Sequence, residues 1–220
     1  MNQQAEVSKV VYGNPNQSDL ELLQEKNYLD SILSEADELL PSANDSNETK
    51  FELHEVIAAI NSVKENEELL QRYYLYDSSL LEYLQETLSI ELPNQANDIF
   101  QTVDNINADI LPLLFKLKYK FQRPRPYQLG NYFKVSLYPF PSVSSSSPSY
   151  PSGHAFQSKI ICEVLGNKYP QFYSQLTMLA DDIANSRICL GVHYKSDIIA
   201  GFSFAQKVLM NKEFQKKYGL

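Results

Sequence analysis

The chain has 220 residues, of which 43% are hydrophobic, and a net charge of −8. That apolar content excludes global disorder, and the acidic balance excludes a general nucleic-acid binder. With 7 glycines and 15 tyrosines the composition is neither collagen-like nor low-complexity.

The average hides an asymmetry. Residues 1–110 hold 22 of the 27 acids and 5 of the 19 bases, a net of −17, whereas residues 111–220 carry a net of +9. An anion site therefore belongs in the second half, and the acidic first half reads as solvated helix faces. The N-terminus has no apolar core of a secretory signal, and no apolar run reaches the roughly 18 residues of a membrane span. The sequence alone reads as a soluble, cytoplasmic chain with no integral membrane segment. Cys162 and Cys189 lack metal-like spacing and read as two reduced, half-buried thiols.

In chain order, residues 1–17 read as a polar lead-in ending at a Gly13-Asn14-Pro15 turn. Ser18 is the expected cap of a helix carrying Leu20, Leu23, Leu29, Ile32, Leu33, Leu39 and Leu40. A loop follows over Pro41–Asn47. A second helix is predicted over Glu48–Tyr74, with Phe51, Leu53, Val56, Ile57, Ile60, Val63 and Leu70 as its apolar stripe. A third starts at Ser78 or Ser79 and ends before Pro93, and a fourth covers Gln95–Tyr119. Residues 122–152 contain six of the eleven prolines and should hold no regular helix. Helices are expected again over His154–Asn167, Gln171–Leu190 and Tyr194–Met210. No strand pattern competes, so the fold class is all-α. One domain is expected over 1–220, with 18–110 as acidic helical scaffold and 111–210 as the active-site region.

Three clusters carry chemistry. Lys118 sits in the last turn of the fourth helix, and Arg125 follows it between the rings of Pro124 and Pro126. Arg187 adds a second guanidinium, and such forks match phosphate oxygens two at a time. The run Pro151-Ser152-Gly153-His154 then enters a helix. There Ser152 can cap, Gly153 lets backbone approach a ligand, and His154 can act as general acid. His193 and Asp197 stand four apart, as neighbours on one helical face. A carboxylate on one ring nitrogen would leave the other free to attack. His54 has no evident partner and reads as structural or surface.

Written as K-x6-RP, PSGH and SR-x5-H-x3-D, the three clusters resemble the signature of the type 2 phosphatidic acid phosphatase (PAP2) superfamily. That superfamily includes class A acid phosphatases, membrane lipid phosphatases and vanadium-dependent haloperoxidases. The resemblance covers about residues 116–197, and the first half shows no family motif. It implies a helical bundle and metal-independent hydrolysis of phosphomonoesters. In that reading Lys118, Arg125, Arg187, Ser152 and the Gly153 amide bind phosphate. His193 becomes a phosphohistidine, Asp197 orients it, and His154 protonates the leaving alcohol and then activates water. Ser186 matches the third motif without a defined role. Lys116 with Arg123-Pro124 repeats the first spacing. Lys118 with Arg125 is preferred, because class A enzymes often carry an Arg-x-Arg-Pro-aromatic run, here Arg123–Tyr127. The resemblance implies no cofactor, phosphate or vanadate as site occupants, a small phosphorylated substrate and a homodimer. A soluble phosphate ester is the expected substrate. The alternatives are a vanadate haloperoxidase and a peripheral lipid-phosphate phosphatase. The Pro/Ser-rich segment 139–150 is expected at the pocket rim.

Overall fold

The computed structural model describes residues 6–220, so residues 1–5 of the predicted lead-in lie outside it. Among the described residues there is no strand. The all-α expectation holds.

Helix α1 spans Gln17–Gln24. Its cap is Asn16, not Ser18: the Asn16 side chain accepts the Asp19 N–H at 2.9 Å, and Ser18 merely donates to Asn16. The predicted long first helix is broken. A 3₁₀ segment restarts at Tyr28–Glu38, where Asn27 Oδ1 accepts the Leu29 N–H at 2.8 Å and Asp30 accepts the Asn27 N–H at 3.2 Å. Such local side-chain bonds compete with a continuing helix. The second predicted helix divides in the same way, into α2 (Asn47–Val63) and α3 (Glu67–Ser78), with Asn66 capping the latter through the Leu69 N–H. Then come α4 (Leu80–Glu91) and the long α5 (Ala96–Phe121), which runs through Pro112.

The proline-rich stretch contains a short helix that was not expected, α6 (Pro126–Gly130). Pro126 sits at its first turn, where a missing N–H leaves no bond unmade. The last elements are α7 (Gly153–Lys168), α8 (Tyr173–Cys189), α9 (Lys195–Leu209) and α10 (Lys212–Tyr218), the last beyond the predicted helices.

Helix α7 is the axis of the fold. Most of its length is buried, and it packs against α8, α9 and α5. Leu113, Leu117, Phe156, Ile160, Ile161, Ile183 and Phe204 belong to one continuous core. The acidic half clothes this core: α1 and α4 lie on α5, and α2 and α3 on α8. A Cβ on Gly201 of α9 would sit 2.8 Å from the Ser152 carbonyl oxygen, so the bare glycine lets α9 close onto the start of α7. Cys162 is buried and Cys189 half-buried, and both are free thiols. Among the described residues no helix is long and apolar enough to cross a membrane.

Candidate active site

The three clusters converge because the end of α5, the start of α7 and the α8–α9 turn meet in one place. Lys118, in the last turn of α5, is almost wholly buried and donates to the Pro148 carbonyl at 2.7 Å. The chain reverses at Gln122, which adopts a left-handed φ of 49°. Arg125 is then fully enclosed. Its Nε and Nη2 donate to the Ser147 carbonyl at 2.9 and 2.8 Å, and its Nη1 to the Val192 carbonyl at 2.9 Å. Lys116, the alternative lysine of the first motif, points away and pairs with Asp30 at 2.7 Å.

Ser152 caps α7 by accepting the Ala155 N–H at 3.4 Å, and its own N–H donates to the Asp197 carbonyl at 3.0 Å. It is completely buried. Gly153 and His154 line the cavity, where first-turn N–H groups have no intrahelical acceptor. A Cβ on Gly153 would meet Leu114 at 3.3 Å and Lys118 at 3.7 Å, narrowing the space beside the lysine. His154 Nε2 lies 2.9 Å from the Tyr76 carbonyl. A carbonyl only accepts, so Nε2 carries the proton and Nδ1 is the ring's other reactive position.

His193 and Asp197 do meet, but not on a helix face as expected. His193 precedes α9, Tyr194 is the N-cap, and Asp197 is the third residue of the helix. Gly191, at φ +80°, makes the turn that delivers His193, and any Cβ there would strike Ile60 and Pro139. Asp197 Oδ2 accepts from His193 Nδ1 at 3.0 Å and from the Tyr194 N–H at 3.0 Å, while Ser149 Oγ donates to the same oxygen. On the opposite edge, His193 Nε2 lies 3.0 Å from Arg125 Nη1. A guanidinium cannot accept, so Nε2 presents its lone pair and the proton resides on Nδ1.

Arg187 is fully buried in α8. Its Nη2 contacts Asp77 at 2.8 Å and Ser144 Oγ at 2.9 Å, while Nε and Nη1 have no protein partner. Asp77 also accepts from Ser142 Oγ, Ser144 Oγ and the Val143 N–H. Segment 139–150 is thereby tied down at several points rather than left loose. Ser186 is buried and donates to the Ile183 carbonyl within its own helix.

Residues from all three clusters line a cavity of about 140 Å³. Lys118, Arg125, His154 and His193 face it at the charged end, and Leu111, Leu114 and Phe115 form an apolar wall. Burial, then Arg125, pushes the Lys118 amine well below its ordinary range. Burial, then Arg187, brings Arg125 down to about 10. His154 and His193 are both held well below 6.5, by burial first and then by Arg187 and Arg125 respectively. Burial opposes the charge on Asp77, but Arg187 and the loop donors outweigh it and set its pKa to about 2. Cations crowded together out of water favour a multiply charged anion among them. Arg187 keeps two buried N–H groups without a protein acceptor. Among the described residues there is no cluster of three or more His, Cys, Asp or Glu suited to a metal ion.

Two residues of the acidic half belong to this arrangement and were not anticipated. Glu52 of α2 and Asp77 of α3 are both buried, paired with Arg123 at 2.9 Å and Arg187 at 2.8 Å. The reading of that half as solvated faces fails for them. Glu52 interrupts the apolar stripe beside Leu53 and Val56, which was the available signal. His54, next to it, is exposed.

The sequence model of the PAP2 superfamily matches residues 105–209. Residues 105–209 are a PAP2 superfamily domain. Two curated relatives match over 88 residues: the lipid A 1-phosphatases of Rhizobium johnstonii, 32% identical, and of Rhizobium etli, 31% identical. Each match covers 40% of this chain but only 36% and 38% of those relatives. Their names differ from the class A acid phosphatases toward which the motifs pointed. Two solved structures share the fold. A bacterial vanadium-dependent iodoperoxidase superposes with a TM-score of 0.58 at 18% identity, over 76% of this chain and 49% of that one. A transmembrane PAP2 phosphatidylglycerolphosphate phosphatase from Bacillus subtilis superposes with a TM-score of 0.53 at 20% identity, over 90% of this chain and 96% of that one. The PAP2 domain spans α5 from Asn105 onward through α9, and therefore includes the cavity but neither Glu52 nor Asp77.

Proposed function

We propose that the PAP2 domain is a metal-independent phosphomonoesterase that works through a phosphohistidine and takes a phosphate ester with an apolar leaving group. The observation that carries this reading is the orientation of His193, with its lone pair on Nε2 and its Nδ1 proton donated to Asp197. Lys118, Arg125, Arg187 and the Gly153 amide hold the phosphoryl oxygens. His193 Nε2 forms the bond to phosphorus while the P–O bond to the alcohol breaks, and Asp197 stabilises the charge the ring acquires. The dianion raises the pKa of the adjacent His154, which gives its proton to the leaving oxygen. The neutral His154 then takes a proton from water, whose oxygen displaces His193 from phosphorus. Inorganic phosphate departs.

The wall of Leu111, Leu114 and Phe115 supports an apolar leaving group, and so do the names of the curated relatives. The test compares a dispersed lipid phosphate monoester with p-nitrophenyl phosphate in excess EDTA, for wild type and His193→Ala. A preference for the lipid that vanishes with His193→Ala supports the reading. Equal rates on both would return the substrate to soluble esters, and full activity in the variant would remove the phosphohistidine. Bromide oxidation by peroxide after vanadate loading, without hydrolysis, would replace the phosphatase with a haloperoxidase.

A further inference from the structure

Glu52 lies outside the PAP2 match, in a helix of the half that carries no family motif, yet both of its oxygens are committed next to the third cluster. Oε1 accepts the Ser196 N–H at 2.7 Å, and Oε2 accepts the Ser196 hydroxyl at 2.9 Å and Arg123 Nη2 at 2.9 Å. Arg123 continues the chain. Its Nη1 donates to Ser196 Oγ at 2.7 Å and to Asp197 Oδ1 at 2.6 Å, while its plane rests on the Tyr194 ring, 4.0 Å from the centroid. Asp197 then reaches His193 through its other oxygen.

The sequence of charges is therefore His193, Asp197 negative, Arg123 positive, Glu52 negative. Asp197 and Arg123 alone would nearly cancel, and His193 would sense little net field. Adding Glu52 leaves the group with one net negative charge. Exposures are 8% for Glu52, 2% for Arg123 and 0% for Asp197, so solvent screens this field weakly.

We infer that Glu52 is a positioning residue for His193, acting through Arg123 and Asp197: it fixes the arginine against Asp197 and restores the negative charge that the arginine removes. The inference rests on the reading of His193 as nucleophile. It also gives the acidic half a part in the chemistry.

The test is Glu52→Gln, which keeps the shape and loses the charge. Expected are a fall in kcat of about tenfold with KM and inhibition by inorganic phosphate within about twofold, because no phosphate-binding group changes. The Nδ1 proton of His193, followed by proton NMR, should move upfield as its bond to Asp197 weakens. Glu52→Asp, which keeps the charge, should retain most of kcat. The double variant Glu52→Gln/Arg123→Met returns the net charge beside His193 to minus one, and should exceed Glu52→Gln alone in kcat. It also serves if the single variant does not fold. An unmoved Nδ1 resonance, a change in KM as large as that in kcat, or a double variant no better than the single one would overturn the inference. The resonance needs no turnover. A protein inactive toward phosphate esters whose His193 proton still responds to Glu52 would count against the phosphatase reading alone.

Discussion

Arg125 Nη1 lies 3.0 Å from His193 Nε2, and that contact makes the arginine the keeper of the imidazole's lone pair. The same guanidinium holds the Ser147 and Val192 carbonyls, so it joins the Pro/Ser-rich segment to the turn that carries His193.

Arg125→Lys should therefore be costly despite keeping the charge. An ammonium cannot span Ser147, Val192 and an anion with one rigid fork. Steady-state kinetics on a phosphate monoester should show kcat/KM lower by about 10²-fold, the scale expected when a positioned oxyanion donor is lost.

Stability should fall on acidification. His154 and His193 ordinarily titrate at 6.5 and are held well below that in the fold. Below 6.5 the unfolded chain therefore binds protons that the folded one refuses, so stability is full above 6.5 and is lost as pH drops toward the folded values. Thermal midpoints measured from about pH 8 to pH 5 should decline, and inorganic phosphate should flatten the decline by favouring the charged rings. A midpoint independent of pH in this range would contradict the burial of both rings.

Asp77→Ala should destabilise by about 3–5 kcal/mol, because it leaves Arg187 buried without its carboxylate. Urea unfolding measures this directly. The loop donors Ser142, Val143 and Ser144 lose their common acceptor at the same time. With its folded pKa near 2, Asp77 contributes stability above 3.8 that disappears as pH falls through about 2.

Gly201→Ala should cost about 1–3 kcal/mol by overpacking, since the new methyl would meet the Ser152 carbonyl at 2.8 Å. Differential scanning calorimetry would register it. A neutral substitution would mean that α9 can withdraw from the start of α7.

Much of the helical layout was legible because apolar periodicity is strong from Gln95 onward, and the helices after Gly153 end within one or two residues of where spacing places them. The breaks at Asn27 and Asn66 were not. There the apolar stripe continues across a position where an asparagine side chain takes over backbone donors, and periodicity is blind to that exchange. The motif residues could be read because their types and spacings are unusual together. Asp77 could not, because a carboxylate that neutralises a buried arginine looks, in sequence, like any surface acid, and the one hint at Glu52 is its place beside Leu53 and Val56 in the apolar stripe. His193 and Asp197 show a subtler case. The spacing of four was read as one helix face, but it arises from a capping turn in which Asp197 serves Tyr194 and His193 together.

Helix α5 carries Lys118 near one end and Leu111, Leu114 and Phe115 within the two turns before it. The proposed nucleophile and its proton partners stand on other elements. On the proposed reading, substitutions along that single helical stripe would redraw which alcohol fits behind the phosphate, leaving His193, His154 and Asp197 unaltered. That reading keeps choice of clientele and bond-breaking on separate pieces of chain, so that one can drift while the other stays put.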